Sequence, residues 1–540
     1  MKEVVDQFRR AMAPTVMDRV VGYFMPERGL KRLQARTMLN LAAGDAGGYG
    51  GGRRDSRALR RWRPTDASAD RDILPDLPDL RGRSRDLARN APLATGAVAT
   101  VVTNVVGEGL QLQASIDSEA LGMSPEAADA WERQAEREFA MFCRTADWSG
   151  VQSFEEMQSL IFRSVLESGD AVIVRRNRKN PGDAYGTKMM VLEADRLSNP
   201  DRAGDTEQIA GGVEFDQNGM PIAYHISNKH PGDLRSAGLA WKRIPARTAK
   251  GKRLVLHLYD RMRPEQSRGV PYLAPVIEHL KQLSSYSESE VRAAVLQACF
   301  TVFIKSNVSP SQILETDDDG GDRDLKMGDG AILQLREGED ITLANPARPN
   351  ANFDPFFLAI TRQIGVALEL PQELLIKHFT ASYSASRAAL EMAWQFFRRR
   401  RAWLAGRLCQ EIYEWCLEEA VAEGRLAAPG FFENERVRQA YCWAEWRGPR
   451  RPSLNPKQEA EADEIDVRLG VTTREQICLE RTGGEVEDKI RQLGKERKLL
   501  DDAGISAEQT PAASPAQNPH GDPADGSDAE DETEARRSNA

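Results

Sequence analysis

No run of about eighteen uncharged apolar residues occurs in this chain, so the sequence offers no membrane-spanning helix. The first residues, Met1 to Pro14, lack the apolar segment of a signal peptide, which predicts a cytosolic product. Cysteine is scarce. Cys143, Cys299, Cys409, Cys416, Cys442 and Cys478 form no Cys-x-x-Cys pair, so zinc and redox frameworks are not expected and the thiols are predicted to be reduced and buried. Cys409 and Cys416 lie two helical turns apart and are expected to share a core-facing side. Histidine is as rare, at six. His225 and His230 have the wrong spacing for a helical metal pair, and His257 sits in an apolar strand pattern that predicts a packed core residue. HExxH, GxSxG and the GxxxxGK[ST] phosphate loop are all missing. Asp170 and Asp195 could be imagined as a nuclease carboxylate pair, but both fall at turn-like or strand-end positions that suit structural capping. The expectation is a protein that is not an enzyme and carries no metal and no cofactor.

What is present is a chain of 540 residues, too long for one hydrophobic core, so several domains are expected. The net charge of −9 hides an asymmetry. Residues 1–90 hold 19 Lys and Arg against 12 Asp and Glu, a balance of +7, which leaves −16 for the remainder. An acidic protein can still guide a polyanion, because many fixed phosphate contacts would hold it in place by a salt-sensitive attraction. Met1–Tyr23 has the spacing of a short amphipathic helix, and Gly44–Gly52 reads as a flexible linker. Beyond it, Arg53, Arg54, Arg60, Arg61 and Arg63 suit either nucleic-acid contact or a solvated basic arm. The acidic stretch Glu315–Asp324 has the composition of a calcium loop but not the EF-hand spacing, and is read as a solvated loop. From Ala507 the chain has almost no large apolar residue, which predicts a disordered acidic tail.

Between these ends the patterning is α+β and mainly α-helical. A helix before Pro92 is followed by another that Gly107 ends. Further helices are expected over Pro125–Met141, with Ser124 as N-cap, and over Phe154–Glu167. Strands are predicted at Ala171–Arg175, Met189–Glu193, Gly211–Phe215 and Leu254–Leu258, with Asn218-Gly219 as a hairpin turn toward Ile222–His225. Long helical patterns run from Val276 to about Phe300, over Pro355–Leu370, and over 385–424. Gly330–Leu335 reads as a strand closing the insertion between the first two. Arg398–Arg401 point in four directions on a helix, so they cannot form one DNA-binding stripe; salt bridges between subunits and exposure to solvent are expected. Helices are also expected from Pro456 to Gly470, from Thr472/Thr473 to Arg481, and over Val486–Asp502.

A set of marks in fixed order spans about Arg81 to Gly504. It begins with Arg85–Asn90, Pro92 and Gly96, then Val105–Gly107 with Gly109, Gly169-Asp170 and Leu192–Leu197. It continues through Gly219 with Pro221–Tyr224, Arg263-Pro-Glu-Gln-Ser-Arg-Gly269 with Pro271, Pro371–Leu374, Tyr383-Ser-Ala-Ser-Arg387 and Thr472–Glu475. In this order the chain resembles the lambda-type family of tailed-bacteriophage portal proteins, which form the ring through which double-stranded DNA enters and leaves the capsid.

The resemblance implies a homo-oligomeric ring, usually of twelve subunits, at one capsid vertex of the virion, made in the cytoplasm of a bacterial host. It implies a basic arm over 1–80, a wing over 81–269, stem helices at 270–300 and 352–370, and a clip at 301–351 between them. A tunnel loop over 371–388, a long helix over 389–425, a helical crown over 426–506 and the tail over 507–540 would follow. Implied partners are double-stranded DNA, bound without sequence preference, the terminase large subunit, head-completion or connector proteins, scaffold and the major capsid protein, with no membrane. Without a nucleotide loop, the terminase would supply the work of packaging. Lys377, His378, Thr380, Ser382, Tyr383, Ser384, Ser386 and Arg387 form a small, hydroxyl-rich segment and are the candidate DNA-facing residues. Small polar groups touch sliding phosphates without deep wells, and Lys377 and Arg387 add modest attraction. A ring or adaptor from another part of a virion or secretion apparatus, and a DNA-processing enzyme, are the alternative readings.

Overall fold

Local signals set the ends of the helices. The computed structural model describes residues 66–503 apart from 234–237, 299–301, 307–338, 344–352, 380–381, 452–454 and 483–485, with scattered positions between 23 and 64. The expectations for residues 1–22, Gly44–Gly52, Cys299, 315–324, 330–335 and 507–540 lie outside the described residues. Everything below concerns the unit that begins at Ala69.

Helices Leu77–Asn90 (α1) and Pro92–Val105 (α2) part at Ala91, whose backbone is extended because the residue before a proline avoids the helical region. Helix α2 is apolar nearly all round and central, with Ala94, Ala97, Val98, Val101 and Val105 buried. Gly107 follows it in the left-handed region at φ 59°. In Pro125–Cys143 (α3) the Ser124 hydroxyl accepts from the Ala127 amide at 3.3 Å. Phe154–Ser168 (α4) opens on a capping box, Ser153 with Glu156. Helices Ile277–Ala298 (α5), Phe353–Ala367 (α6) and the short Gln372–Ile376 (α7) come next. Tyr383–Leu404 (α8) continues through a π-turn at Ala405–Cys409 into Gln410–Ala422 (α9). Glu435–Cys442 (α10), Pro456–Leu469 (α11), Arg474–Thr482 (α12) and Val486–Asp502 (α13) complete the helices used below.

The strands are Gln111–Ala114 (β1), Asp170–Asn177 (β2), Thr187–Leu192 (β3), Ile209–Ala210 (β4), Val213–Phe215 (β5), Pro221–Ser227 (β6), Trp241–Pro245 (β7), Val255–Tyr259 (β8), Val302–Ser306 (β9), Glu339–Leu343 (β10) and Ala444–Arg447 (β11). They form antiparallel sheets in the orders β3-β2-β8 and β4-β5-β6-β7, and the pairs β1–β11 and β9–β10. The continuous apolar run of β2 has a reason. Ala171 and Ile173 enter the main helical core, whereas Val172 and Val174 enter a second core with Tyr224, Ile226 and Ile244. The fold is α+β and mainly helical. No helix among the described residues is long and apolar enough to cross a membrane.

Helices α5 and α6 are antiparallel. Near one end the Tyr272 hydroxyl donates to the Leu368 carbonyl; farther along, the Tyr286 ring stacks on Phe353 at 5.6 Å. Strands β9 and β10 pair with Val302 opposite Leu343, so the insertion between the two helices is closed at its base.

The arginine run keeps the expected exposure at Arg398 and Arg399 and also makes bonds within the subunit. Arg399 donates to Glu369 at 2.8 Å and Arg400 to Asp260 at 2.5 Å, while Arg401 donates to the Asn104 and Val105 carbonyls and lies over the Trp394 ring. These three tie α8 to other parts of its own subunit, because successive residues on a helix point to different neighbours. Arg398 is exposed.

Candidate functional site

Two regions carry the marks noted in the sequence. The first is the loop Arg263–Gly269, whose folding depends on a buried carboxylate. Asp170, the first residue of β2, is fully inaccessible. It accepts from Arg268 Nε at 2.6 Å and Arg81 Nη2 at 2.9 Å, and His257 Nε2 lies 3.1 Å away. Arg268 also donates to the carbonyls of Ala194, Leu197 and Gly211, and Arg81 to that of Ser168, so the hub ties α1, the end of α4, β2 and the turns at 194–197 and 211 together. Burial alone would raise the Asp170 carboxyl, but Arg268, Arg81 and His257 outweigh it and hold the group well below the usual range. Burial also pushes Arg81 down to about 10, which leaves it charged at neutral pH, and keeps the His257 imidazole below its ordinary value. Behind the hub, Gly169 and Gly269 meet backbone to backbone: a Cβ on Gly269 would stand 1.9 Å from the Gly169 carbonyl oxygen. The loop then delivers Pro271 and Tyr272 to the start of α5.

The second region is the segment around 377–387. It is not one loop over 371–388. Gln372–Ile376 is a helix, and α8 already begins at Tyr383, with the Ser386 amide donating to the Ser382 carbonyl at 2.9 Å. The small, polar Tyr-Ser-Ala-Ser run reads as loop, but Ser382 stands at the N-cap and the alanines that follow favour helix. Lys377 caps α7 in the left-handed region at φ 54°, its amide donating to the Glu373 carbonyl, and its side chain is exposed, as is His378. Ser382 and Ser384 are exposed, with hydroxyls 3.3 Å apart. Ser386 is half-buried. Arg387 is exposed at the edge of a cavity of about 60 Å³ that it shares with Asn104, Trp394 and Arg451. Thr380 and the Tyr383 side chain lie outside the described residues. The structure thus places Lys377 on the cap of one helix and Arg387 in the first turns of the next, with no acidic residue between them in the chain.

The groups weighed for catalysis are otherwise engaged. Asp195 is held by Arg85, Asp170 by the hub, and His225 lies 3.0 Å from Glu214, which also takes both arms of Arg243. His230 lies 3.4 Å from Glu193 and 3.7 Å from Asp195. Among the described residues no group of three or more His, Cys, Asp and Glu could hold a metal ion. Cys143, Cys409, Cys416, Cys442 and Cys478 are buried and form no disulfide among the described residues. Sequence reasoning missed the hub itself, because Arg81 and Arg268 lie 89 and 98 residues from Asp170. The signals available were a charged residue opening an apolar strand and the marks Gly169-Asp170 and Arg268-Gly269, which do not say that the two meet.

The family model described as phage portal protein, lambda family, matches residues 55–401. The chain is 24% identical to the portal protein of Escherichia phage N15 over 490 residues, covering 85% of this chain and 92% of the relative. It is 22% identical to portal protein B of Escherichia phage lambda over 488 residues, covering 85% and 91%. It is 25% identical to the probable portal protein of Halomonas phage phiHAP-1 over 466 residues, covering 84% and 86%. Among solved structures, a chain of the virion of a native gene transfer agent particle aligns with TM-score 0.41 and 14% identity, covering 75% of this chain and 92% of that one. The weight rests on the family model, which takes in both the Asp170 hub and the 377–387 segment: this chain belongs to the lambda family of phage portal proteins.

Proposed function

We propose that copies of this chain form a closed ring at one vertex of a phage capsid, and that duplex DNA passes through the ring during packaging and ejection. Membership of the portal family carries this reading, and three features of the fold support it. The antiparallel pair α5 and α6 suits a stem, the insertion closed by β9 and β10 suits a clip at its far end, and the Asp170 hub gives the stem a rigid base in the wing. The terminase large subunit docks at the clip during packaging, and connector proteins take its place afterward. Scaffold and the major capsid protein surround the ring during assembly. The ring is non-enzymatic, and it has twelve subunits.

Within this reading Lys377, Ser382, Ser384 and Arg387 face the channel, with Thr380, Tyr383 and Ser386 in the same segment. Exposed hydroxyls and two separated cations offer weak, non-specific contact to phosphates that slide past. Electron microscopy of the purified full-length chain tests the ring: a closed ring with a channel wide enough for duplex DNA is expected. Lys377→Ala combined with Arg387→Ala tests the channel segment. Rings should still assemble, while complementation in vivo should yield fewer DNA-filled heads. Normal filling and infectivity in the double variant would remove these two side chains from the DNA path and leave the ring standing.

A further inference from the structure

Arg387 keeps its charge for an outside partner only if the acid beside it is occupied elsewhere. From Tyr383 to Phe397, α8 carries one cation and one anion, Arg387 and Glu391. They are four residues apart, so their side chains share one face of the helix and would ordinarily pair. In the fold they do not. Glu391 Oε1 is paired with Arg451 Nη2 instead, and Arg387 makes no ion pair among the described residues. Arg398, the next cation of the helix, stands two turns beyond Glu391.

A clamped stretch of chain brings Arg451 to α8. After β11, Gly448 lies against Arg401 and Leu110: a Cβ there would stand 2.5 Å from Arg401 Nε and 2.8 Å from Leu110 Cδ2. Pro449 fills the space beside Gly107, where a Cβ would meet its Cγ at 2.5 Å. Arg401 in turn holds the Asn104 and Val105 carbonyls at the end of α2, and Arg450 donates to the Arg481 carbonyl at 2.8 Å. With the three preceding residues fixed in this way, Arg451 reaches the small cavity that Arg387, Asn104 and Trp394 also line. The pair with Glu391 adds little to stability, since the two side chains are 41% and 38% exposed. Its consequence lies in which arginine the carboxylate serves.

We propose that Arg451 is a positioning residue of the DNA-facing segment: by holding Glu391 it leaves the Arg387 guanidinium free for a phosphate of duplex DNA. The inference rests on the reading above that Arg387 faces the channel, and adds the residue that sets the charge there. Two arginines against one glutamate leave a local sum of +1. Without Arg451 the sum is zero, and Arg387 and Glu391 pair with each other along the helix. One uncompensated guanidinium in each subunit gives the modest attraction that sliding contact demands.

The test is the binding of a fluorescent duplex oligonucleotide to the full-length protein, followed by anisotropy over a series of salt concentrations. Arg451→Ala should weaken binding and reduce the steepness of log affinity against log salt by at least about 0.9, the value for one phosphate contact. Adding Glu391→Gln to Arg451→Ala should restore the parent slope, because nothing then neutralises Arg387. Glu391→Gln alone should bind at least as tightly as the parent. A double variant that binds as weakly as Arg451→Ala would mean that Arg451 only anchors its own segment, and an unchanged slope in Arg451→Ala would mean that its charge is not felt by DNA. Either result overturns the inference and leaves the DNA-facing reading intact so long as Arg387→Ala weakens binding. If Arg387→Ala changes nothing, or the parent binds no duplex at low salt, the DNA-facing reading falls and this inference with it.

Discussion

Replacing Asp170 by asparagine keeps the shape of the hub and removes the carboxylate that both of its arginines bond. Arg268 would retain three carbonyl acceptors and Arg81 one, but two buried guanidiniums would lose the carboxylate they share, with only Asp195 left to act on Arg81 from farther off. Breaking a buried ion pair from one side costs about 3–5 kcal/mol. With an unfolding entropy of about 2.1 cal/mol/K per residue over roughly 400 residues, Asp170→Asn should melt about 4–6 °C lower. The pH dependence has a definite sign. The folded-state carboxyl is held below its unfolded value of about 3.9, so its contribution is complete above that pH and declines only as pH falls through the folded value. The gap between parent and variant, measured by urea denaturation, should therefore be level between about pH 8 and pH 5 and shrink only below about pH 4. A gap under about 1 kcal/mol, or one that widens toward pH 4, would refute the claim that this carboxylate holds two cations in the fold.

Three further outcomes follow from the packing. Gly269→Ala should lower the melting temperature by an amount equivalent to at least about 1–3 kcal/mol, since the new methyl meets the Gly169 carbonyl oxygen and the Tyr259 Cβ, and neither is the mobile end of a side chain. Gly82→Ala, in the exposed interior of α1 with nothing within 4 Å of the new methyl, should instead raise stability by about 0.4–1 kcal/mol in the same assay. Tyr413→Phe should be neutral or stabilising by thermal denaturation, because the Tyr413 hydroxyl is buried without a hydrogen-bond partner.

The hub bears on function through position. It joins α1, the β3-β2-β8 sheet and the loop that launches α5, so α5 cannot tilt against the sheet without separating Arg268 from Asp170. The glycine contact behind it works the same way, since two backbones at van der Waals distance leave no room for sliding. A subunit that must stand beside identical copies around a channel benefits from such a joint. Small angular errors at the start of a long helix grow along its length.

Much of the architecture was legible in the residues alone because it depends on neighbours in sequence. The break before Pro92, the Ser124 cap, the stop at Gly107, and the hairpin at Asn218-Gly219, with Gly219 at φ 77°, are all decided within four or five residues. The helices α4, α5 and α13 were written in 3.6-residue apolar periods, and the strand β2 in a continuous apolar run. The order of the marks from Arg85 to Glu475 was enough to suggest the family. What tertiary structure alone decided is which distant groups meet. Strand β1 pairs with β11 across more than three hundred residues of chain, and neither looked like a strand, since a four-residue segment has too little pattern to declare itself. Basic β7 escaped notice for the same reason. The run Arg398–Arg401 could be read as pointing in four directions, but the destinations of Arg399, Arg400 and Arg401, namely Glu369, Asp260 and the end of α2, exist only once the helices pack. Tyr383 starts a helix rather than ending a loop because Ser382 stands at its N-cap and the alanines that follow favour helix, a local signal masked by the polar run. Asp170, written as an ordinary acid before an apolar run, becomes the centre of the fold because burial makes its charge costly unless cations from 89 and 98 residues away arrive to share it.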